Sequence, residues 1–293
     1  MPEQPPMHDR GFATFTHSAG DVIRYRTVGC GPQTLLFLHG FAASMHTWYD
    51  LLPFFPPERF TLYLLDLKGH GGSSRPFSGD YSPLHNAELV RAFIRSAPLK
   101  KITLVGHSLG GGVALLAALS SPDVERLILI GAPAYPQQIP HFMVRLSWPV
   151  IGPLAMTLLP SQMIARLGLQ AAFYRHERIT RQLMARYAAC YTGFKSACAL
   201  ARTVRHIVPA NFTELIARYR EITMPVLLLW GEHDRVVPLW QGERLQRELP
   251  DARLDVIPDC GHNPHEERPE ATFACIAAFF DSTDVDKVQE RDR

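Results

Sequence analysis

A chain of 293 residues with 46% hydrophobic and 20% charged side chains carries enough apolar material for a sizeable core, which argues against general disorder. That length exceeds one small domain and falls short of two full ones, so one α/β core with an insertion is expected. The net charge of +2 gives no global case for a nucleic-acid partner.

Five scattered cysteines, an odd number without metal spacing, fit reduced thiols better than a disulfide framework. Met1–Arg10 is polar and proline-rich, without the apolar region of a secretion signal. No uninterrupted apolar run reaches the length of roughly 18 residues needed for a transmembrane segment. A cytoplasmic protein is the expectation.

After the tail, Phe12–Thr16 and Val22–Val28 read as an antiparallel hairpin about the turn at Ser18–Asp21. Thr34–Leu38 is apolar throughout and reads as a strand buried on both faces. It runs into His39-Gly40-Phe41, followed by a short helix over Thr47–Leu52 that Pro53 stops. Phe60–Leu65 is a further buried strand ending at Asp66, and the glycine-rich stretch after it reads as a turn, since it has no phosphate-loop spacing. A helix over Pro83–Ala97, a strand Ile102–Val105, a helix from Leu109 and a strand Val124–Ile130 follow.

The rhythm then breaks. Residues 134–208 show helical patches and no convincing strand, with prolines at 136, 140, 149, 153 and 160. Alternation resumes with a helix from Asn211 to Tyr219, the strand Val226–Trp230, a helix Leu239–Leu249, the strand Arg253–Ile257 and a last helix over Pro264–Phe280. The expected architecture is a mainly parallel, twisted eight-stranded sheet with helices on both faces. Residues 11–133 and 209–281 form the core, 134–208 an inserted helical cap, and 1–10 and 282–293 tails.

The turn between Ile102–Val105 and the next helix is Gly106-His107-Ser108-Leu109-Gly110, a G-x-S-x-G match. A serine at a strand-to-helix elbow sits in strained backbone with its hydroxyl held clear of the sheet, and flanking glycines let strand and helix approach. A serine hydroxyl is a weak nucleophile until a base takes its proton, and the base needs a third group to fix its tautomer. In such sheets these partners follow later strands in the order acid, then histidine. Asp234 follows Val226–Trp230 and His262 follows Arg253–Ile257, so Ser108, Asp234 and His262 are the expected catalytic set.

The competitors fit less well. Glu232 is aimed less well than Asp234, Asp259 reads as a loop former, and the segment after Val124–Ile130 offers no acid. His39 and His70 read as loop-orienting groups and His107 as structural within the elbow. The His262/His265 spacing is not that of a zinc helix and lacks a third ligand, so no metal and no cofactor are expected. The oxyanion donors are expected to be the backbone N–H groups of Leu109 and of Phe41, the latter in the loop after the buried Thr34–Leu38 strand.

The stretches HGF (39–41), DLKGHGGS (66–73), GHSLGG (106–111), WGEHDRVVP (230–238) and GHNPHEERPE (261–270) together resemble the α/β-hydrolase fold family, in its bacterial branch with a helical cap. The resemblance covers about Phe12 to Phe280. It implies hydrolysis of a carboxylic ester or thioester through an acyl-enzyme, because relatives that dehalogenate or open epoxides carry aspartate at the elbow. Family members that hydrolyse carbon–carbon bonds of ring-cleavage diketones usually have tryptophan after the histidine and asparagine before the serine, where this chain has Asn263 and His107. Iminopeptidase relatives have tryptophan where Leu109 stands. Carbon–carbon hydrolysis and acyl transfer are the alternatives; a catalytically inactive small-molecule-binding protein is the non-enzymatic one.

Residues 134–208 hold nine lysines and arginines against one acid, Glu177, hence +8, which leaves −6 for the rest. The apolar side chains of this segment are expected to line a pocket for an acyl chain, with Phe142, Met143, Trp148, Met156 and Met163 as walls. The arginines at 175, 178, 181 and 186 read most simply as a solvated helix face. The alternative is an anionic partner: an acyl carrier protein, a coenzyme A ester or an acidic lipid surface.

Overall fold

A computed structural model describes residues 9–97, 99–139 and 141–291. The eight strands are β1 (Asp9–Thr16), β2 (Val22–Gly29), β3 (Gln33–Leu38), β4 (Phe60–Leu65), β5 (Ile102–His107), β6 (Val124–Ile130), β7 (Val226–Gly231) and β8 (Ala252–Ile257). They form one sheet in the order β1-β2-β4-β3-β5-β6-β7-β8. β2 runs antiparallel to β1 and β4, and all other neighbours are parallel. Period-two alternation in uniformly apolar strands puts core on both sides. Leu36, Leu38, Leu104, Leu127, Leu129, Leu228 and Trp230 face one way, onto α1 (Pro83–Ser96) and α2 (Leu109–Ala118). Leu35, Phe37, Val105, Ile128, Ile130 and Leu229 face the other, onto Trp48, Phe55, Ile276 and Phe280.

Between β6 and β7 stand α3 (His141–Leu146), α4 (Ile151–Leu158), α5 (Ser161–Ala172), α6 (Arg181–Cys190), α7 (Phe194–His206) and α8 (Phe212–Ala217). The remaining helices are α9 (Trp240–Glu248), α10 (Pro264–Glu267) and α11 (Pro269–Arg291). Helices α4 and α7 share a small cluster of Met156, Ala197, Leu200 and Ala201 that reaches Ala42 of the β3 loop. A second cluster joins α5 to α6 through Leu169, Phe173 and Leu183. Among the described residues no helix is long and apolar enough to cross a membrane.

Four local expectations are corrected. The helix over Thr47–Leu52 is two short 3-10 turns, Met45–Trp48 and Leu52–Phe54. Pro53 lies inside the second, since a first-turn position has no N–H to lose. The last helix breaks at Arg268 (φ −138°, ψ 56°), because the ring of Pro269 disfavours helical backbone in the residue before it. Beyond the break α11 continues to Arg291, so the segment read as a charged tail from 282 is helical through that residue. At the other end β1 already begins at Asp9, and the rest of the N-terminal tail lies outside the described residues.

Candidate active site

Ser108 sits between β5 and α2 at φ 51°, ψ −122°, a region L-residues rarely occupy. The surroundings over-determine it. Its N–H donates to the Ile130 carbonyl (2.9 Å), and its carbonyl accepts from Gly111 and Gly112 (2.8 and 3.0 Å). A Cβ on Gly106 would collide with the Gly110 carbonyl, and one on Gly110 with the Leu38 carbonyl. The hydroxyl makes no capping bond to the helix it begins, so capping does not explain the serine.

Asp234 and His262, on the loops after β7 and β8, meet directly: His262 Nδ1 donates to Asp234 Oδ2 at 2.7 Å. The other carboxylate oxygen accepts the N–H groups of Val236 and Val237, both at 2.8 Å. The turn Asp234–Val237 therefore holds the carboxylate toward His262. Both side chains are almost wholly buried. Donation from Nδ1 leaves the lone pair on Nε2, and that nitrogen is buried with no hydrogen-bond partner among the described residues. Ser108 and His262 line the same cavity, but no Ser108–His262 hydrogen bond is made at rest. Bonds between nucleophile and base commonly tighten only when substrate is bound.

Gly131, at the end of β6, carries no signal in the sequence beyond its place in a segment without an acid. At φ 51° it packs beneath the pair, where a Cβ would lie 3.0 Å from His262 Nδ1 and 3.1 Å from Asp234 Oδ2. Only the fold brings it there.

The Gly40–Phe41 loop lies over the elbow: a Cβ on Gly40 would stand 2.9 Å from His107 Nδ1 and 3.1 Å from Ser108 Cβ. His39 orients this loop, donating from Nδ1 to the Gly40 carbonyl (2.7 Å) and accepting the Leu67 N–H at Nε2 (3.0 Å). Burial lowers its pKa to about 4, which keeps it neutral. Phe41 and Leu109 both line the cavity. Leu109 opens α2, where an N–H has no intrahelical acceptor. His107 donates from Nε2 to the His262 carbonyl (2.9 Å), and burial holds its pKa well below the usual value. It is a strut for the histidine loop.

That loop is also tied to the inserted helices, a feature the sequence did not disclose. The His262 N–H donates to the Ala172 carbonyl at the end of α5 (2.7 Å). Glu267 accepts from the Gly261 N–H on one oxygen (2.9 Å) and from Tyr174 and Arg175 on the other (both 3.0 Å). Tyr187 of α6 donates to Glu266 Oε2 (2.8 Å), which also accepts from Asn263 Nδ2 (2.6 Å). Burial raises the Glu266 carboxyl to about 7. Below it, the Thr47 hydroxyl is bonded to His265 Nε2 at 2.8 Å, so His265 serves the scaffold.

The cavity measures about 1060 Å³ and its lining is chiefly apolar. Of the predicted walls, Met143, Met156 and Met163 line it. Trp148 does not. It stands 51% exposed in the turn between α3 and α4. The Phe142 side chain lies outside the described residues. Tyr135, Leu146, Leu200 and Phe212 are walls the sequence reading missed, because nothing local distinguishes them from core residues. Three side chains able to ligate a metal, Glu232, His233 and Asp259, gather within 4.8 Å at the surface, as exposed acidic groups often do without an ion.

The alpha/beta hydrolase family model matches residues 35–274. An uncharacterised protein of Mycobacterium tuberculosis is 29% identical over 276 residues, covering 89% of this chain and 78% of its own. The pimeloyl-[acyl-carrier protein] methyl ester esterase of Nitrosomonas europaea is 29% identical over 267 residues, covering 88% and 99%. An alpha/beta hydrolase fold protein from Burkholderia ambifaria superposes with a TM-score of 0.79 at 25% identity, over 90% of this chain and 96% of that one. Serine elbow, parallel sheet and a family match over most of the length agree, and the chain belongs to the alpha/beta hydrolase family.

Proposed function

We propose that this protein hydrolyses carboxylic esters or thioesters of a partly apolar acyl group, with Ser108 as nucleophile, His262 as general base and acid, and Asp234 orienting His262. The observation that carries the reading is the Asp234–His262 hydrogen bond, which leaves a buried, unpartnered Nε2 on the cavity that Ser108 also lines. His262 takes the hydroxyl proton as Ser108 attacks the acyl carbon, and the developing oxyanion is received by the N–H groups of Leu109 and Phe41. The imidazolium, stabilised by Asp234, then protonates the leaving alcohol or thiol. Water deprotonated by His262 attacks the acyl-enzyme, and collapse of the second tetrahedral intermediate frees the acid and Ser108.

Residues 134–208 act in this reading as a cap that closes an apolar cavity over the serine, which favours a medium or long acyl chain over acetate. The positive balance of the same residues supports an anionic partner at this face. The test is a p-nitrophenyl ester series from acetate to palmitate with fluorophosphonate labelling, on wild type and Ser108→Ala. Wild type should be labelled and should prefer the longer esters. Ser108→Ala should lose label and lose at least about 10⁴-fold in kcat. Substantial turnover by that variant, or folded wild type that takes no label, would defeat the assignment.

A further inference from the structure

The inserted helices carry an apolar face that none of the described residues covers. Trp148, Val150, Ile151, Leu154 and Leu158 form a ridge along the α3–α4 turn and α4, with Val150 73% and Leu158 74% exposed. Spacing at 151, 154 and 158 puts three of them on one side of α4, while Met156 turns inward to Leu200 and Ala201. Exposed apolar residues scattered singly need no explanation, but a contiguous patch of this kind marks an interaction surface. Val150 adds to the case. A β-branched residue at φ 66° is strained, and its side chain stands 73% exposed.

Two further observations identify the occupant. The ridge is continuous with the cavity mouth, because Leu159, Met163 and Leu167 are exposed and also line the cavity. Whatever covers the ridge therefore also faces the entrance to an apolar chamber. The charge that this segment itself carries is of one sign: between Glu125 and Glu177 the sequence has no acidic residue, and exposed Arg145 and Arg166 enter no ion pair among the described residues. A second copy of the chain would set two segments of +8 against each other. An anionic bilayer has both the apolar interior and the negative surface that this face lacks.

We infer that the α3–α5 face docks on the surface of an anionic lipid bilayer, inserting the Trp148–Leu158 ridge to headgroup depth and opening the cavity toward the acyl layer. The inference depends on the esterase reading only for what the cavity receives. The helices lie on the bilayer without crossing it.

Co-sedimentation with vesicles of phosphatidylcholine alone, and of phosphatidylcholine mixed with phosphatidylglycerol, tests it. Wild type should bind the mixed vesicles at least about tenfold more tightly, with a blue shift in emission that Trp148→Phe abolishes. The double variant Ile151→Ser/Leu158→Ser should lose about tenfold or more in vesicle binding, yet turn over a short soluble ester within about twofold of wild type. Arg145→Gln/Arg166→Gln should weaken binding to the mixed vesicles only. Equal, weak binding of wild type to both vesicles overturns the inference, as does undiminished binding by the serine variant. Sedimentation velocity showing a dimer that the serine variant dissolves would give the ridge to a second copy instead. Vesicle binding by a wild type that cleaves no ester would leave docking standing and remove the esterase reading; ester cleavage without vesicle binding would do the reverse.

Discussion

The two sides of the cavity are built differently. Below the cavity, Ser108, Gly131, Asp234 and His262 stand at the ends of β5, β6, β7 and β8, whose shared ladders and buried strands leave them little freedom. Above it, α4 buries only Gly152, Pro153 and Met156, and α5 only Ala165 and Leu169. The contrast separates two demands. Proton transfer needs atoms held to a fraction of an ångström, which a sheet rim provides, whereas admitting a bulky substrate needs a wall that opens at low cost.

The hardest blow to that division would come from the rim. Asp234→Asn keeps the shape but presents an amide to His262, which no longer enforces donation from Nδ1. We expect a loss of about 10³- to 10⁴-fold in kcat with little change in KM, read by steady-state kinetics on a soluble ester. A loss under about tenfold would mean that another acid orients the histidine.

Gly131→Ala probes the same rim without replacing Ser108, Asp234 or His262. The methyl would press on His262 Nδ1 and Asp234 Oδ2 from beneath, and the backbone there already has φ 51°. A displacement of a few tenths of an ångström at His262 should, on the proposed mechanism, cost about 10- to 100-fold in kcat, with about 1–3 kcal/mol of stability. If kcat holds while melting falls, the rim is more forgiving than its packing implies.

These expectations also mark what local sequence can and cannot disclose. The strand runs, the elbow and the loops bearing Asp234 and His262 were legible because they depend on alternation, glycine chemistry and order along the chain. The role of Gly131 was not, since it exists only when β6 lies between β5 and β7. Trp148, expected as a pocket wall, stands exposed instead, because an apolar side chain in this segment need not point inward. The length of α11 was hidden because its charged end has no apolar stripe from which to read helical period.

Where the two regions meet, Glu266 gives the junction a pH signature. Its carboxyl is raised by burial from 4.5 to about 7, so between those values the unfolded chain releases a proton that the folded one keeps. Stability should therefore be fullest below about pH 4.5, fall through the window to about pH 7 and level off above it. The contribution is on the order of 3 kcal/mol at 1.36 kcal/mol per unit. Glu266→Gln retains an oxygen to accept from Tyr187 and Asn263 and should flatten this part of the profile in urea titrations run across pH. An unchanged slope would show that the carboxyl ionises normally and that solvent reaches the junction.

The smallest effect should come from the most conspicuous contact between the regions. Arg186 of α6 reaches Asp50, with one guanidinium nitrogen 2.9 and 3.0 Å from the two carboxylate oxygens. The pair is partly exposed, at 20% and 38%, so water competes for both charges and holding two flexible side chains together has an entropic cost. Arg186→Ala should change stability by no more than about 1 kcal/mol and leave kcat and KM for a soluble ester nearly untouched. The buried contacts of Tyr187, Glu267 and the Ala172 carbonyl hold the inserted helices to the histidine loop without it. A large rise in KM or a loss of several kcal/mol in this variant would transfer the attachment from the buried junction to the surface, and would make the position of these helices sensitive to ionic strength.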